Sequence, residues 1–448
     1  MTKDLTEGKP SRVLLGFSLP LLFSVMFQQF YNIVDSVVAG KYIGVDALAA
    51  VGASYPITMI FMAVATGANI GSSVVISQFF GAKKYEKMKT SIFTSLILII
   101  IVSILLTLCG SFGCDFLIRA LNTPANVFSD AALYLSIYTW GLVFLFLYNI
   151  CTGVFTALGD SKTPLYFLIV SSLGNVAMDL LFVIRFQMGV AGVAWATFLC
   201  QGLAAVLAVV ALLRRLNRIE TKESFPLFSW DMAVRISRIA IPSILQQSFI
   251  SIGNLFIQRL VNGYGSSVMA AYSAAVKLNT FMIVSLSTLA NGLSNFTAQN
   301  IGAGKISRVK EGYKAGIRMV FAICIPVVFL YFFYGSTVMR LFLSGKDNVN
   351  TVLQEGVLFL RIISPFYFVV SLKLVTDGVL RGAGDMVSFM ITTFSDLILR
   401  VLLSYLFAKG LNLGSMGIWL SWPVGWFAGT ILSLIFYCHG KWKKMYAV

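Results

Sequence analysis

The sequence predicts an all-α integral membrane protein with twelve transmembrane helices in two six-helix bundles. The first reason is composition: of 448 residues, 58% are hydrophobic and only 12% are charged, and the mean hydropathy is +0.85. A soluble globular chain of this length does not need so high a fraction of apolar residues, so the composition indicates a membrane protein. The second reason is the recurrence of apolar segments of about 20 residues or more, each long enough to cross a bilayer as a helix. The third is an internal repeat.

The apolar segments define the expected helices. The first, Phe17–Gly40, carries Pro20 near its start and Asp35 near its far end, which makes it a candidate moving part. One long polar connection, Asn217–Trp230, divides the chain into two expected lobes, 1–225 and 226–448. The expected spans are roughly 13–39, 48–79, 91–117, 127–150, 163–185, 189–213, 232–261, 266–300, 315–343, 350–376, 386–408 and 413–437.

The basic residues predict how the chain lies in the membrane. The net charge of +16 could indicate a nucleic-acid partner, but lysine and arginine fall mainly in alternate connections. By the positive-inside rule, both termini are therefore expected to be cytoplasmic, in a multi-pass protein of the cell membrane (inner or plasma). The excess charge orients the chain, and no nucleic-acid partner is expected.

The composition also argues against an enzyme. Six cysteines are scattered without metal-ligand spacing, and the one histidine, His439, lies in the C-terminal tail. A histidine-based catalytic site within the membrane is therefore excluded. We expect no enzymatic activity, no cofactor and no metal other than a coupling cation.

The two halves of the chain carry matching motifs in the same order. Gln78–Ala82 is matched by Gln299–Ala303, and Gly153–Asp160 is matched by Gly378–Asp385. The two pairs of motifs lie at nearly equal offsets along the chain, which indicates an internal duplication of a six-helix unit. Because six is an even number, two copies of such a unit start on the same face and are related by a pseudo-two-fold axis along the membrane normal.

Two intramembrane aspartates in the first half indicate an ion site. Asp35 and Asp179 both lie roughly 8–9 Å from the outer ends of their expected helices. Asn175 lies on the same helix face as Asp179, and Thr197 and Tyr134 reach a depth of roughly 10–12 Å. Neighbouring buried carboxylates can exchange a proton, and the same oxygen atoms could hold Na⁺.

The second half contains a different set of charged residues. Asp396 and Arg400 are four residues apart on one helix and are expected to pair. Asp377 is expected to be solvated or to cap the turn beside it. Three cations in or near apolar segments either snorkel, pair with acids, or line a substrate cavity: Lys277, Arg361 and Lys373.

Taken together, these features resemble the multidrug and toxic compound extrusion (MATE) transporters over essentially the whole chain. The resemblance is carried by Pro20 and Asp35 in the first helix, by Ala47–Val51 opening the second, and by the two Gln-x-x-Gly-Ala turns. Asn175-x-x-x-Asp179 and the turn Arg381–Asp385 complete it. It implies a V-shaped antiporter of two lobes that expels drugs against a proton or sodium gradient.

The resemblance also implies roles for individual residues. The family's cation site, which could hold H⁺ or Na⁺, maps onto Asp35, Asn175, Asp179 and Thr197, with Tyr134 a weaker match. Protonation of Asp35 would bend the first helix at or near Pro20 and expel the substrate. The seventh helix has no acid beyond its mouth, so the chain is closer to the DinF-like and MepA-like branches than to the NorM-like branch.

The predicted function is therefore secondary active efflux of cationic or amphipathic organic compounds by alternating access. Its partners would be these compounds, H⁺ or Na⁺ and the lipid bilayer, and the protein would act as a monomer. The alternative is a flippase of the same superfamily for lipid-linked precursors, which would need cations in its cleft for pyrophosphate. A channel would need a continuous polar pore, which the sparse intramembrane charges do not indicate.

Overall fold

A computed structural model describes residues 4–38, 42–43, 45–121, 123–221, 223–340 and 349–443, with backbone alone for 31–38, 45–48, 120 and 349. Within these residues the chain forms helices and connections without strands. The helices are α1 Pro10–Val38, α2 Val45–Gly81, α3 Tyr85–Ala120, α4 Ala125–Trp140, α5 Leu142–Ala157, α6 Lys162–Leu180, α7 Gly189–Leu216, α8 Trp230–Asn262, α9 Ser266–Gly302, α10 Ile306–Arg340, α11 Val349–Ile363, α12 Tyr367–Gly382, α13 Met386–Tyr405 and α14 Gly414–His439.

The predicted number of spans is confirmed. Eleven helical segments of the described chain are long and apolar enough to cross a membrane, and α4 with α5 form a twelfth if this bent pair is one span. Many large apolar side chains face outward along these helices, as in Phe112, which is 90% exposed, and Phe116, which is 74% exposed. Such surfaces suit contact with lipid, so the protein is a multi-pass membrane protein.

Two spans that the sequence predicts as single helices are each broken. α4 and α5 meet at an angle of 49° around Gly141. The amide of Gly141 donates to the carbonyl of Tyr138 at 3.0 Å, a tight bond that ends α4. Between α11 and α12 lies a 3₁₀ turn, Ser364–Phe366, in which Pro365 has no amide hydrogen to donate. The apolar pattern runs on through both breaks, which is why hydropathy alone did not locate them.

The internal repeat extends to the details of the backbone. α6 and α13 are each followed by a five-residue π-helical turn, Leu181–Arg185 and Leu406–Gly410. Each turn leads to a non-glycine residue of positive φ, Gln187 at 52° and Asn412 at 56°. Such angles are uncommon for residues with a side chain. The matching positions therefore share an unusual conformation, and the repeat is structural as well as sequential.

Contacts between Cα atoms divide the chain into two compact units. The first unit is formed mainly by Leu19–Ile244, and the second by Leu5–Ser18 with Leu245–Ala447. The division therefore falls inside α1 and α8. The lobes expected from the sequence, 1–225 and 226–448, differ from these units at the starts of those two helices, and they remain a proposal.

Within the second unit, the N-terminal segment is bound by side chains of α9 and α10. The amide of Leu5 donates to Oε1 of Gln299 at 3.0 Å, and Nδ2 of Asn300 donates to the carbonyl of Leu5 at 3.2 Å. Arg308 donates to the carbonyl of Gly8 at 2.7 Å. Leu5 is fully buried. The repeated motif at the end of α9, which reads as a helix stop in the sequence, therefore also binds the start of the chain.

The turn before α6 is organised by Asp160. Its Oδ1 accepts hydrogen bonds from the amides of Lys162 and Thr163, both at 3.1 Å, and its Oδ2 pairs with Arg215. Burial acts to raise the pKa of Asp160, but the hydrogen bonds from Thr163 and the charge of Arg215 outweigh it, so the pKa lies below the ordinary 3.8. The anionic form of Asp160 therefore stabilises the folded state.

Replacing Asp160 with Asn is expected to lower stability by roughly 1–3 kcal/mol at neutral pH, because Arg215 loses its buried partner. Because the pKa is lowered in the folded state, the charged form of Asp160 contributes its full stabilisation at any pH above the ordinary pKa. This stabilisation is lost as the pH falls through the pKa of the folded state. The difference in melting temperature between wild type and Asp160→Asn should therefore be constant near neutral pH and shrink below pH 3.8.

The matched control is Asp385→Asn in the second half. Asp385 holds its turn through the amide and hydroxyl of Ser388, at 3.3 and 2.8 Å. No ion pair of Asp385 occurs among the described residues. The Asp385→Asn variant should therefore lose less stability than Asp160→Asn does. An equal loss would show that the ion pair with Arg215 contributes nothing to stability.

Candidate ion site and neighbouring pocket

The last turns of α6 carry two buried polar side chains. Asp179 is fully buried and Asn175 is 3% exposed, and the two lie one helical turn apart. One residue after Asp179, α6 ends and the π-helical turn begins at Leu181. A carboxylate at such a position is costly without a compensating proton, cation or polar partner. π-helical turns are frequent at functional sites, so this end of α6 is the first component of the candidate site.

Tyr134 and Thr197, which the sequence predicts at the same depth, line one small pocket between α4 and α7. The pocket is small, with a water-accessible volume of about 10 Å³. Its remaining walls include the phenol of Tyr138 and the amide of Gln201. Asn175 and Asp179 are not among the residues that line it. The structure therefore places the predicted site residues on two neighbouring features, the pocket and the buried end of α6.

Helix α7 connects these two features. Thr197 faces the pocket, whereas Cys200, three residues further along, is close enough to Asp179 to interact with it electrostatically. Gly174 on α6 also lies beside Cys200, since a Cβ atom there would make an ordinary contact of 3.8 Å with Sγ of Cys200. Sequence reasoning missed Cys200 and Gln201, because neither residue type marks an ion site.

Aromatic side chains surround the pocket. The rings of Tyr134 and Tyr138 stack with centroids 6.3 Å apart, and Phe198 meets Trp195 edge to face at 5.2 Å. The sequence predicts that some aromatic residues contact the substrate without indicating which. Flat apolar cations are attracted to the faces of such rings, so the aromatic rings at this pocket are the candidates.

The helix that carries Asp35 is present as predicted. α1 runs from Pro10 to Val38 with Pro20 inside it, and the hydroxyl of Ser24 donates to the carbonyl of Pro20 at 2.9 Å. Proline leaves one carbonyl of the preceding turn without its helical donor, which makes this a natural point for a bend. The side chain of Asp35 lies outside the described part of the chain, so its pairing with Asp179 stays a prediction.

The three cations for which the sequence left snorkelling, pairing or a substrate cavity open have different environments. Lys277 on α9 and Arg361 on α11 are exposed, and Nε of Arg361 donates to the carbonyl of Phe332 at 3.3 Å. The side chain of Lys373 is only 4% exposed, and its Nζ lies 3.0 Å from Asp377 and 3.7 Å from Asp396. For Lys373, the structure therefore shows the second of these alternatives, which is pairing with acids.

The environment of Asp377 differs from the expected solvated or capping position. Asp377 is 3% exposed, and its Oδ1 accepts hydrogen bonds from Thr392 at 3.1 Å and from Ser433 at 2.5 Å. These hydroxyls come from α13 and α14, and the packing of these helices on α12 brings them to Asp377. Proximity to the Gly378 turn therefore misled the interpretation of the sequence.

Asp396 also differs from expectation, because its ion pair is with Lys373 and not with Arg400, four residues away on the same helix. The guanidinium of Arg400 lies over the ring of Trp422, 4.4 Å from the centroid, and donates to Asn254 at 3.5 Å. Spacing along one helix identified a geometrically feasible pair. It could not anticipate competing partners on α8, α12 and α14.

Comparison with known proteins places these features in a family. The family model described as MatE matches residues 20–181 and 242–406, one stretch in each half and together more than half of the chain. The probable multidrug resistance protein YpnP of Bacillus subtilis is 29% identical over 443 residues, which cover 99% of this chain and 98% of that protein. The multidrug export protein MepA of Staphylococcus saprophyticus is 24% identical over 323 residues, or 70% of each chain. A structure of an outward-facing multidrug resistance MATE family transporter of the MOP superfamily superposes with a TM-score of 0.91 at 23% identity, covering 98% of this chain and 97% of the other.

Proposed function

Because the chain belongs to the MatE family, whose members are transporters, we propose that it exports cationic or amphipathic organic compounds by secondary active antiport. The observation that carries the proposal is the buried pair of Asn175 and Asp179 beside an aromatic pocket. The pair supplies a place for the coupling ion, and the aromatic rings around the pocket supply faces that attract a flat organic cation. The names of the full-length relatives support drugs as the substrate class.

In the proposed mechanism, Asp179 and Asp35 exchange the coupling cation, H⁺ or Na⁺, with Asn175 and Thr197 as polar partners. Loading of the site changes the hydrogen bonds of α1, which bends at or near Pro20 and releases the substrate outward. We further propose that the protein acts as a monomer in the cell membrane with both termini cytoplasmic. It would need no cofactor and would catalyse no covalent reaction.

The direct test is transport by purified protein in liposomes. Ethidium movement would be followed by fluorescence while a pH gradient or a sodium gradient is imposed separately. We expect movement coupled to at least one gradient, and none in liposomes without protein or with the gradient dissipated. Movement that is absent under both gradients for ethidium and for other organic cations would overturn the proposal.

The exposed cations Lys277 and Arg361 favour one alternative, a flippase for lipid-linked pyrophosphates. The same liposomes can test it with a fluorescent lipid pyrophosphate and a membrane-impermeant quencher. Translocation of this lipid without ethidium transport would favour the flippase. Ethidium transport without translocation of the lipid would favour drug export.

A further inference from the structure

The second unit contains a buried charge cluster of Lys373, Asp377 and Asp396, which we call the lysine cluster. Nζ of Lys373 lies 3.0 Å from Oδ2 of Asp377, one turn along α12, and 3.7 Å from Oδ2 of Asp396 on α13. The Lys373 and Asp377 side chains are each 4% exposed, and that of Asp396 is 14% exposed. The proposed drug-export mechanism uses none of these three residues.

Without the ammonium group, the lysine cluster would be a set of oxygen ligands. Two carboxylates face the position of Nζ, and Oδ1 of Asp377 is fixed by the hydroxyls of Thr392 and Ser433. Small hard cations bind carboxylate and hydroxyl oxygens of this kind. The ammonium of Lys373 therefore occupies the place at which a free monovalent cation would bind.

The neighbouring helix is shaped to admit the lysine. Gly429 on α14 faces the stem of Lys373, and a Cβ atom at this position would lie 2.7 Å from Cε of Lys373 and 3.0 Å from Cβ of Asp396. A side chain at this position would have to displace the stem of Lys373, so the glycine leaves room for Lys373 to reach the carboxylates along this path. Residues of α12, α13 and α14 therefore together determine the position of the ammonium group.

The local charge balance disfavours an additional cation. Besides Lys373, the guanidinium groups of Arg400 and Arg381 interact electrostatically with Asp396 and Asp377, respectively. Two carboxylates thus already face three cationic side chains. A further cation would enter a buried site with an excess of positive charge, where repulsion is weakly screened.

We propose that Lys373 is a built-in counter-ion that excludes free coupling cations from the second unit and so determines which unit couples to the ion. Asp377 and Asp396 remain occupied by the lysine throughout transport, and the exchange of H⁺ or Na⁺ is confined to the first unit. The inference rests on the proposed antiport, but the occupancy of the lysine cluster can be measured without transport.

The test is the effect of Na⁺ on the melting temperature of purified protein, with choline as the reference cation. Lys373→Met keeps the apolar stem and removes the charge, so the two carboxylates then face only the two guanidinium groups and can accept one Na⁺ in place of the ammonium. We expect Na⁺ to raise the melting temperature of Lys373→Met by about 2–5 °C more than that of wild type. This gain should vanish in Lys373→Met/Asp396→Asn. The matched control, Lys310→Met at an exposed position of α10, should respond as wild type does.

Two results would overturn the proposal. One is a folded Lys373→Met that responds to Na⁺ no more than wild type does. The other is a wild-type Na⁺ response that disappears in Asp396→Asn, because Asp396 would then bind free Na⁺ beside an intact Lys373. The second comparison decides the matter even if Lys373→Met does not fold. Absence of ethidium transport, with these melting results as expected, would instead count against drug export alone.

Discussion

Replacing Asp179 with Asn is expected to reduce gradient-driven ethidium efflux at least tenfold, which corresponds to a loss of about 1.4 kcal/mol or more in the coupled step. Asparagine has nearly the same shape and can donate and accept hydrogen bonds, so the packing around this fully buried position should survive. It cannot, however, take up and release a proton, and it offers a cation no net charge. The loss should therefore appear in transport and not in the amount of folded protein.

The measurement compares initial rates of efflux in liposomes that contain equal amounts of each variant, with the gradients imposed one at a time. Asp35→Asn should show the same loss if the two carboxylates act together. The matched control is Asp231→Asn at the start of α8, where the side chain is 67% exposed and pairs with Arg235 at 3.4 Å. This control should transport at the wild-type rate.

Two outcomes separate the ion-coupling role from a structural one. If Asp179→Asn folds normally and transports at the wild-type rate under either gradient, Asp179 does not couple the ion. If instead Asp179→Asn is lost during purification, its effect is on folding, and Thr197→Val becomes the informative variant. Thr197 lines the pocket and is only partly buried, so removing its hydroxyl should weaken coupling without loss of fold.

The sequence predicts the class, the number of spans and the repeat because each depends on a property that is local or periodic. Hydropathy identifies segments that cross a bilayer, and the turns at Gly153–Asp160 and Gly378–Asp385 require the same local conformation wherever they occur. Gly159 and Gly384 do adopt similar positive φ angles, 75° and 83°. These features could therefore be predicted before any tertiary contact was known.

The charged network of the second half could not be predicted in this way. Asp377 receives hydrogen bonds from side chains 15 and 56 residues further along the chain. Asp396 pairs with Lys373 on a neighbouring helix, at 3.7 Å, and not with the arginine four residues away on its own helix. One sequence shows which partners a residue could have within its helix, but the choice among neighbouring helices depends on how the helices pack.

The two halves share a backbone plan but distribute their acids differently. At the offset that relates Gly153 to Gly378, the position of Asp179 is occupied in the second half by Ser404, and the position of Asp377 is occupied in the first half by Thr152. Both hydroxyls donate to a carbonyl of their own helix, at 2.9 and 2.8 Å. The duplicated fold therefore carries two different charge arrangements: the one in the first half is the ion site that we propose, and in the other a lysine pairs with two acids.

Replacing Gly378 with Ala is expected to lower stability strongly, because α12 closely approaches α9 at this residue. A Cβ atom at Gly378 would lie 2.6 Å from the carbonyl oxygen of Ala290. The obstacle is backbone, so the substitution Gly378→Ala would force the two helices apart. We expect a loss of about 3 kcal/mol in stability, which would appear as a lower melting temperature and as less monodisperse protein after extraction into detergent.

Two other glycines provide the controls. Gly153, at the matching position of the first half, faces Asn69, and a Cβ atom there would lie 2.6 Å from the movable side-chain oxygen and 3.3 Å from the backbone oxygen. Gly153→Ala should therefore cost less than Gly378→Ala. At Gly52 in α2, no atom of the described chain would lie within 4 Å of an added Cβ atom, so Gly52→Ala should be neutral or raise stability by up to about 1 kcal/mol.

If all three substitutions had the same effect, helix propensity and not the contact between α9 and α12 would explain it. A loss confined to Gly378→Ala would show that the second unit is held by direct backbone contact beside the lysine cluster.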